Sequence, residues 1–206
     1  MRALIVRGGW EGHEPVAATS LFASFLAGHG YELRVADTLD VYTDRSALDE
    51  ADLIVQCWTN GRFTDAQEAG LVERVEAGAG FAGWHGGVLA VGYEASRYQL
   101  MVGGRFLVHP GGFVDYTVDV PGDHPITSGL TSFDVHTEQY YCHVDPALEV
   151  LATTTFGNGA VMPVTWVRRF GAGRVFVTTL GHGVTDLTVP PTRTMIERGL
   201  LWAGGA

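Results

Sequence analysis

Short apolar runs, each stopped by a glycine-rich or polar turn and followed by a segment with helical spacing, constrain this chain more than any other feature. Residues 3–6, 53–57 and 81–84 are largely apolar, the pattern of strands covered on both faces rather than half exposed. After the first, Ala18, Leu21, Phe22, Phe25 and Leu26 recur at the spacing of one helical face behind Pro15, and Gly28-His29-Gly30 supplies a left-handed stop. Residues 31–36 then alternate as a strand. Thr64 with Gln67 three residues on reads as a capping box ahead of Leu71, Val72 and Val75, with Gly78 and Gly80 closing that helix. The first half is therefore expected to alternate β and α around a doubly wound parallel sheet.

The texture changes after Phe106. Residues 113–120 and 150–155 read as strands, and 164–169 pair with 174–179 across Phe170-Gly171-Ala172-Gly173 as a hairpin. Residues 88–93 read as a helix running from a glycine turn, and 191–202 as a final helix carrying Met195, Ile196, Leu200 and Trp202. With no repeat, low-complexity run or linker, residues 1–206 are expected to form one domain, ordered except at 204–206.

Composition narrows the partners. Hydrophobic residues make up 46% and charged residues 17% of the 206, too much to bury for a disordered chain. The formal charge of −10 opposes binding to nucleic acid or anionic lipid, leaving a small uncharged molecule or a protein. All thirteen basic residues are arginine, which excludes lysine Schiff-base chemistry and a P-loop lysine. Cys57 and Cys142 are too few and too distant for a disulfide framework or a metal knuckle, so a reducing compartment is expected. The first apolar run is too short for a signal peptide, and nothing approaches the roughly 20 apolar residues of a membrane span. A cytoplasmic protein without nucleic-acid or membrane partners is expected.

Gly83-x-His85-x-Gly87 follows an apolar strand and precedes a helix, the geometry of a nucleophile elbow with histidine at its tip. Glycine suits both flanks because a Cβ there would clash in the strained turn. The alternative is a glycine-rich connection carrying a solvated histidine.

The chain carries in order Gly8-Gly9-Trp10-x-x-His13, Gly83-Trp84-His85-Gly86-Gly87, Gly103-Gly104-Arg105-Phe106-x-x-His109-Pro110 and Asp123-His124-Pro125-Ile126. Thr137-Glu138-Gln139-Tyr140-Tyr141, Pro163-Val164-x-Trp166 and Gly171-x-Gly173-Arg174-Val175-Phe176-x-x-x-Leu180-Gly181-His182 follow. The resemblance they carry, over nearly the full length, is to the ThuA-like, or trehalose-utilisation, family. It implies a flavodoxin-like three-layer sandwich with a mostly parallel central sheet, similar to class I glutamine amidotransferases, and a link to sugar catabolism. Those amidotransferases carry cysteine at the elbow. Here the tip is His85, and imidazole cannot hold the acyl group as a thioester, so glutaminase activity is not expected.

On that fold, His85, His182 and His13 would all emerge at the carboxyl edge of the sheet. Three neutral imidazoles there can hold a divalent metal, zinc before others, or serve as a general acid and base; each can also simply bond to backbone. Glu138 would orient an imidazole or accept from sugar hydroxyls, making His85, His182 and Glu138 the candidate catalytic set. Trp10, Trp58 and Trp84 offer flat faces for pyranose rings. Arg105 would anchor a ligand or brace its loop against an acidic residue, and His109 and Tyr140 would line the pocket. His124 reads as a turn leading into a helix, His29 as a helix-end residue, Trp166 and Trp202 as core fillers, and His136 and His143 as undecided. A carbohydrate-processing enzyme and a non-catalytic sugar-binding or regulatory module both fit. The number of titratable groups at one edge favours the enzyme. Tyr140, Tyr141 and the last helix are candidates for a homo-oligomer face.

Overall fold

The structure is a computed structural model describing residues 1–205. Seven strands form one sheet in the order β2 (Glu32–Ala36), β1 (Arg2–Gly9), β3 (Leu53–Thr59), β4 (Gly80–Trp84), β11 (Gly173–Thr178), β10 (Val161–Phe170) and β9 (Glu149–Thr155). The first five are mutually parallel, and β10 and β9 continue the sheet antiparallel. The apolar runs are buried for the reason their composition suggests: alternate residues feed different layers. Ala3 and Ile5 join a core with Phe22 and Leu26 of α1 (Pro15–Gly28) and Met195, Ile196 and Leu200 of α7 (Pro190–Gly204). Leu4 and Val6 join the opposite core with Leu48 of α2 (Arg45–Glu50), Leu71 and Val75 of α3 (Asp65–Glu76), and Tyr98 and Met101 of α5 (Ser96–Val102). The result is a flavodoxin-like three-layer sandwich.

The capping box forms as expected, with Thr64 Oγ1 accepting from Gln67 N and Gln67 Oε1 from Thr64 N. The hairpin pairs Thr165 with Thr178 through Phe170 with Gly173. The expected helix over 88–93 is instead the single turn α4 (Gly86–Leu89), ending at Ala90, whose φ −114° and ψ 44° leave the helical region. His124 sits in a turn, its Nδ1 accepting from Ile126 N, and no helix follows directly. Gly204 completes α7 and Gly205 caps it in the left-handed conformation, whereas Ala206 lies outside the described residues.

Two antiparallel ribbons extend this frame: β5 (Gly104–Val108) with β8 (Tyr141–Val144), and β6 (Phe113–Val118) with β7 (Phe133–Glu138). Their importance is positional, since β7 ends at Glu138. A last turn, α6 (Val184–Leu187), follows β11. Among the described residues no helix is long and apolar enough to cross a membrane.

Candidate metal centre

Strand order reverses at β1, which has β2 on one side and β3 on the other, and ligands of open α/β sheets gather beyond the carboxyl ends of strands at such a point. His13 follows β1, His85 follows β4 and His182 follows β11. Glu138 arrives from the β6–β7 ribbon. One ligand atom from each of these four residues lies within 4.8 Å of every other.

Backbone strain concentrates around the same edge. Among the described residues, three non-glycine residues have positive φ: Glu14 at 47°, Asn60 at 66° and His85 at 51°. Each follows a sheet strand, and such strain persists only where surrounding structure over-determines it. For His85 the constraint is visible. A Cβ at Gly83 would lie 2.8 Å from the Gln56 carbonyl oxygen, and one at Gly87 2.8 Å from Cys57 Cα. Beneath the turn, buried Gln56 donates to Gly87 O at 3.1 Å and Tyr98 Oη at 2.7 Å, and accepts from Tyr42 Oη at 2.8 Å. A central-strand amide thus fastens the elbow to its sheet.

Each histidine has a defined orientation. His85 is 1% exposed, and its Nδ1 donates to Thr179 O at 2.7 Å. Its Nε2 stands 3.1 Å from Glu138 Oε2 and 2.9 Å from Tyr140 Oη. His13 Nδ1 bonds Thr59 Oγ1 at 2.7 Å, leaving Nε2 for the cluster. His182 Nδ1 lies 3.3 Å from Glu138 Oε2, off the line of a hydrogen bond, and is buried with no hydrogen-bond partner. Its backbone N–H donates to Asp186 Oδ2 at 3.1 Å. His109 approaches the other carboxylate oxygen, Oε1, at 3.5 Å from a more open position. Trp10, half exposed, and Phe113 meet the His182 ring edge-on at 6.3 and 4.8 Å.

Electrostatics fits a donor set that wants a cation. Burial first, then repulsion from His85 and His182, lowers the His13 pKa to about 3, and burial lowers that of His85, so both rings are neutral donors. Burial alone would raise the Glu138 pKa, but His182 and His85 override it and hold the carboxyl well below the usual range. Interaction with Glu138 raises His182. Three imidazoles, a carboxylate and an orphaned buried ring nitrogen match the ligand chemistry of zinc.

The neutral rings give stability a definite pH dependence. Below about pH 6.5 the unfolded chain protonates His13 and His85 while the fold resists, so their contribution is complete above 6.5 and is lost as pH falls toward 3. Depressed Glu138 loses stability in the same direction; His182, raised, has the opposite sign. The melting temperature should fall on acidification from pH 6.5, and His13→Asn should flatten that slope. Parallel wild-type and variant curves would refute the assignment.

Several expected site residues lie elsewhere. Trp84 is 1% exposed and packs on Phe22 at 4.9 Å; the last residue of a central strand is covered, so it is core and offers no sugar face. Trp58, half-buried over Gly8, lines with Trp10, Asn60 and Gly61 a groove of ≈ 400 Å³ beside the cluster. Arg105 pairs in register with His143 and faces a separate groove, because neighbouring Phe106 takes the face toward Tyr140. Asp145 of that groove pairs with Arg168, not Arg105. His136 pairs with Asp115 at the surface, and neither it nor His143 joins the cluster. Of the residues considered for an oligomer face, Tyr140 is buried, Tyr141 is partly exposed, and much of the apolar face of α7 packs on the sheet. Trp166 is core, its Nε1 donating to Val102 O; Trp202 is only partly buried and lies under Arg174. His29 caps α1 as expected.

Sequence reasoning missed Thr59, the Thr179 carbonyl, Asp186 and Phe113. Only Thr59 carried a signal, as a polar residue ending an apolar strand. Both cysteines are buried, and burial pushes each thiol up to about 12, far from nucleophilic.

The ThuA family model, described as trehalose utilisation, matches residues 2–203. A ThuA-like protein from Bacteroides uniformis ATCC 8492 has a similar structure, with TM-score 0.80 and 20% identity over 98% of this chain and 91% of its own. For a ThuA-like protein from Parabacteroides merdae ATCC 43184 the values are 0.81 and 15%, over 99% and 90%. A β-galactosidase from Bacillus circulans sp. alkalophilus matches 98% of this chain with 30% of its own, at TM-score 0.60 and 11% identity. These identities carry a likeness of fold. Comparison with curated protein sequences gives no match.

Proposed function

The chain belongs to the ThuA family of trehalose utilisation, and on that premise we propose that it processes a sugar or oxidised sugar at the histidine cluster, with zinc held by His13, His85, His182 and Glu138. The observation that carries this reading is the convergence of four ligand atoms within 4.8 Å at the carboxyl edge of the sheet. Bound there, a divalent cation supplies Lewis acidity toward a carbonyl or hydroxyl oxygen. The protein's own groups do the rest. Buried His13 and His85 stay neutral, the Thr179 carbonyl orients His85 through Nδ1, and more open His109 moves a proton at the entering sugar. Trp10 and Trp58 hold a ring face, and Tyr140 supplies a hydroxyl.

An uncharged carbohydrate fits the charge, since a net −10 opposes anionic ligands. The substrate is a small molecule, the location is cytoplasmic, and glutaminase chemistry has no thiol at the elbow. The test is to load the protein with Zn²⁺, dialyse, count metal by elemental analysis, and follow trehalose, glucose and their oxidised derivatives by product chromatography. One zinc per chain and conversion of a sugar are expected. Sugar binding without turnover would make the protein a non-catalytic sugar-binding module, and absence of metal, binding and turnover would end the proposal.

A further inference from the structure

We propose that Tyr140 is a hydrogen-bond donor gated by the cation site: its hydroxyl closes on His85 Nε2 while that nitrogen is bare, and is released to a substrate oxygen when a divalent cation takes the nitrogen. This rests on the cation reading above.

His85 Nδ1 lies 2.7 Å from the Thr179 carbonyl oxygen. A carbonyl only accepts, so Nδ1 carries the proton and Nε2 of the neutral ring presents a lone pair. Two oxygens crowd that nitrogen, Tyr140 Oη at 2.9 Å and Glu138 Oε2 at 3.1 Å. The tyrosine brings a hydrogen, whereas the carboxylate brings only further lone pairs. Tyr140 therefore donates to Nε2 in the neutral ring, and the Nε2–Glu138 contact is repulsive until a cation lies between them. A cation at Nε2 satisfies Glu138 and displaces the tyrosine hydrogen in one event.

Tyr140 cannot then turn to bulk water. It is 4% exposed, and its ring is held between Phe106 and His85 with centroids at 4.4 and 4.2 Å. A buried donor left unpaired is costly, so the freed hydroxyl stays at the cluster and seeks an oxygen there. A phenol keeps its proton at neutral pH, so the hydroxyl has a hydrogen to give.

Co²⁺ titrated into wild type and Tyr140→Phe, followed by visible absorption, tests the gate. The variant should bind Co²⁺ about fivefold more tightly, because no hydroxyl competes for Nε2. In the wild type a tyrosine ultraviolet difference signal should saturate at the same Co²⁺ equivalents, and this second readout serves even if the variant fails to fold. Equal or weaker binding by folded Y140F, or cobalt saturation of the wild type with no tyrosine signal, overturns the gate and leaves the cation site standing. A wild type that takes up no Co²⁺ removes the cation site, and the gate with it.

Discussion

His85→Ala is expected to lower zinc affinity by at least about 100-fold and to abolish sugar turnover, with His182→Ala and His13→Ala following. Groups that merely orient a metal-bound imidazole already account for about 10–100-fold, so a ligand itself must cost more. Metal content should drop further than thermal stability, because the sandwich core lies below the cluster and does not depend on it. Binding also competes with imidazole protonation, so occupancy should fall as pH drops through about 6.5. Elemental analysis, sugar binding and product formation on one set of variants separate the alternatives. If the histidines act as a proton-transfer pair alone, wild type holds no stoichiometric metal, yet His85→Ala still loses turnover while binding persists.

Gly83→Ala and Gly87→Ala should each destabilise the fold by roughly 1–3 kcal/mol, through overpacking against backbone that cannot give way. The new methyl would sit 2.8 Å from Gln56 O in one case and from Cys57 Cα in the other. For a domain of this size each kcal/mol lowers the melting temperature by about 2–4 °C. Gly157→Ala is the control, since a Cβ there meets nothing within 4 Å. Thermal denaturation matching wild type at Gly83 and Gly87 would show that the elbow does not need its glycines for space.

The parts of the fold legible in sequence were those where local pattern and burial coincide. The runs that become β1, β3 and β4 are largely apolar because both faces are covered, and the capping box and the β10–β11 hairpin rest on residues only a few positions apart. Ribbon strands β5, β7 and β8 were missed because they are short and carry mixed burial, which leaves no clean period to read. The glycine-flanked tip at His85 was legible as well, since a strained turn between a buried strand and a helix demands particular residues.

Sequence by itself thus determined the α/β alternation, the elbow and the supply of imidazoles at strand ends, because each follows from interactions among near neighbours in the chain. Tertiary structure alone decided which of those groups meet. Glu138 reaches His85 across 53 positions because β6 and β7 pair as a ribbon, and no local pattern encodes that approach. It also separated the tryptophans. Trp10 stands half exposed in a loop beside the cluster while Trp84 is sealed in the core, a difference set by which layer packs over each strand end. Arg105 and Phe106 divide in the same way: successive residues on a strand point to opposite faces, so only the sheet's packing chose which one faces the site.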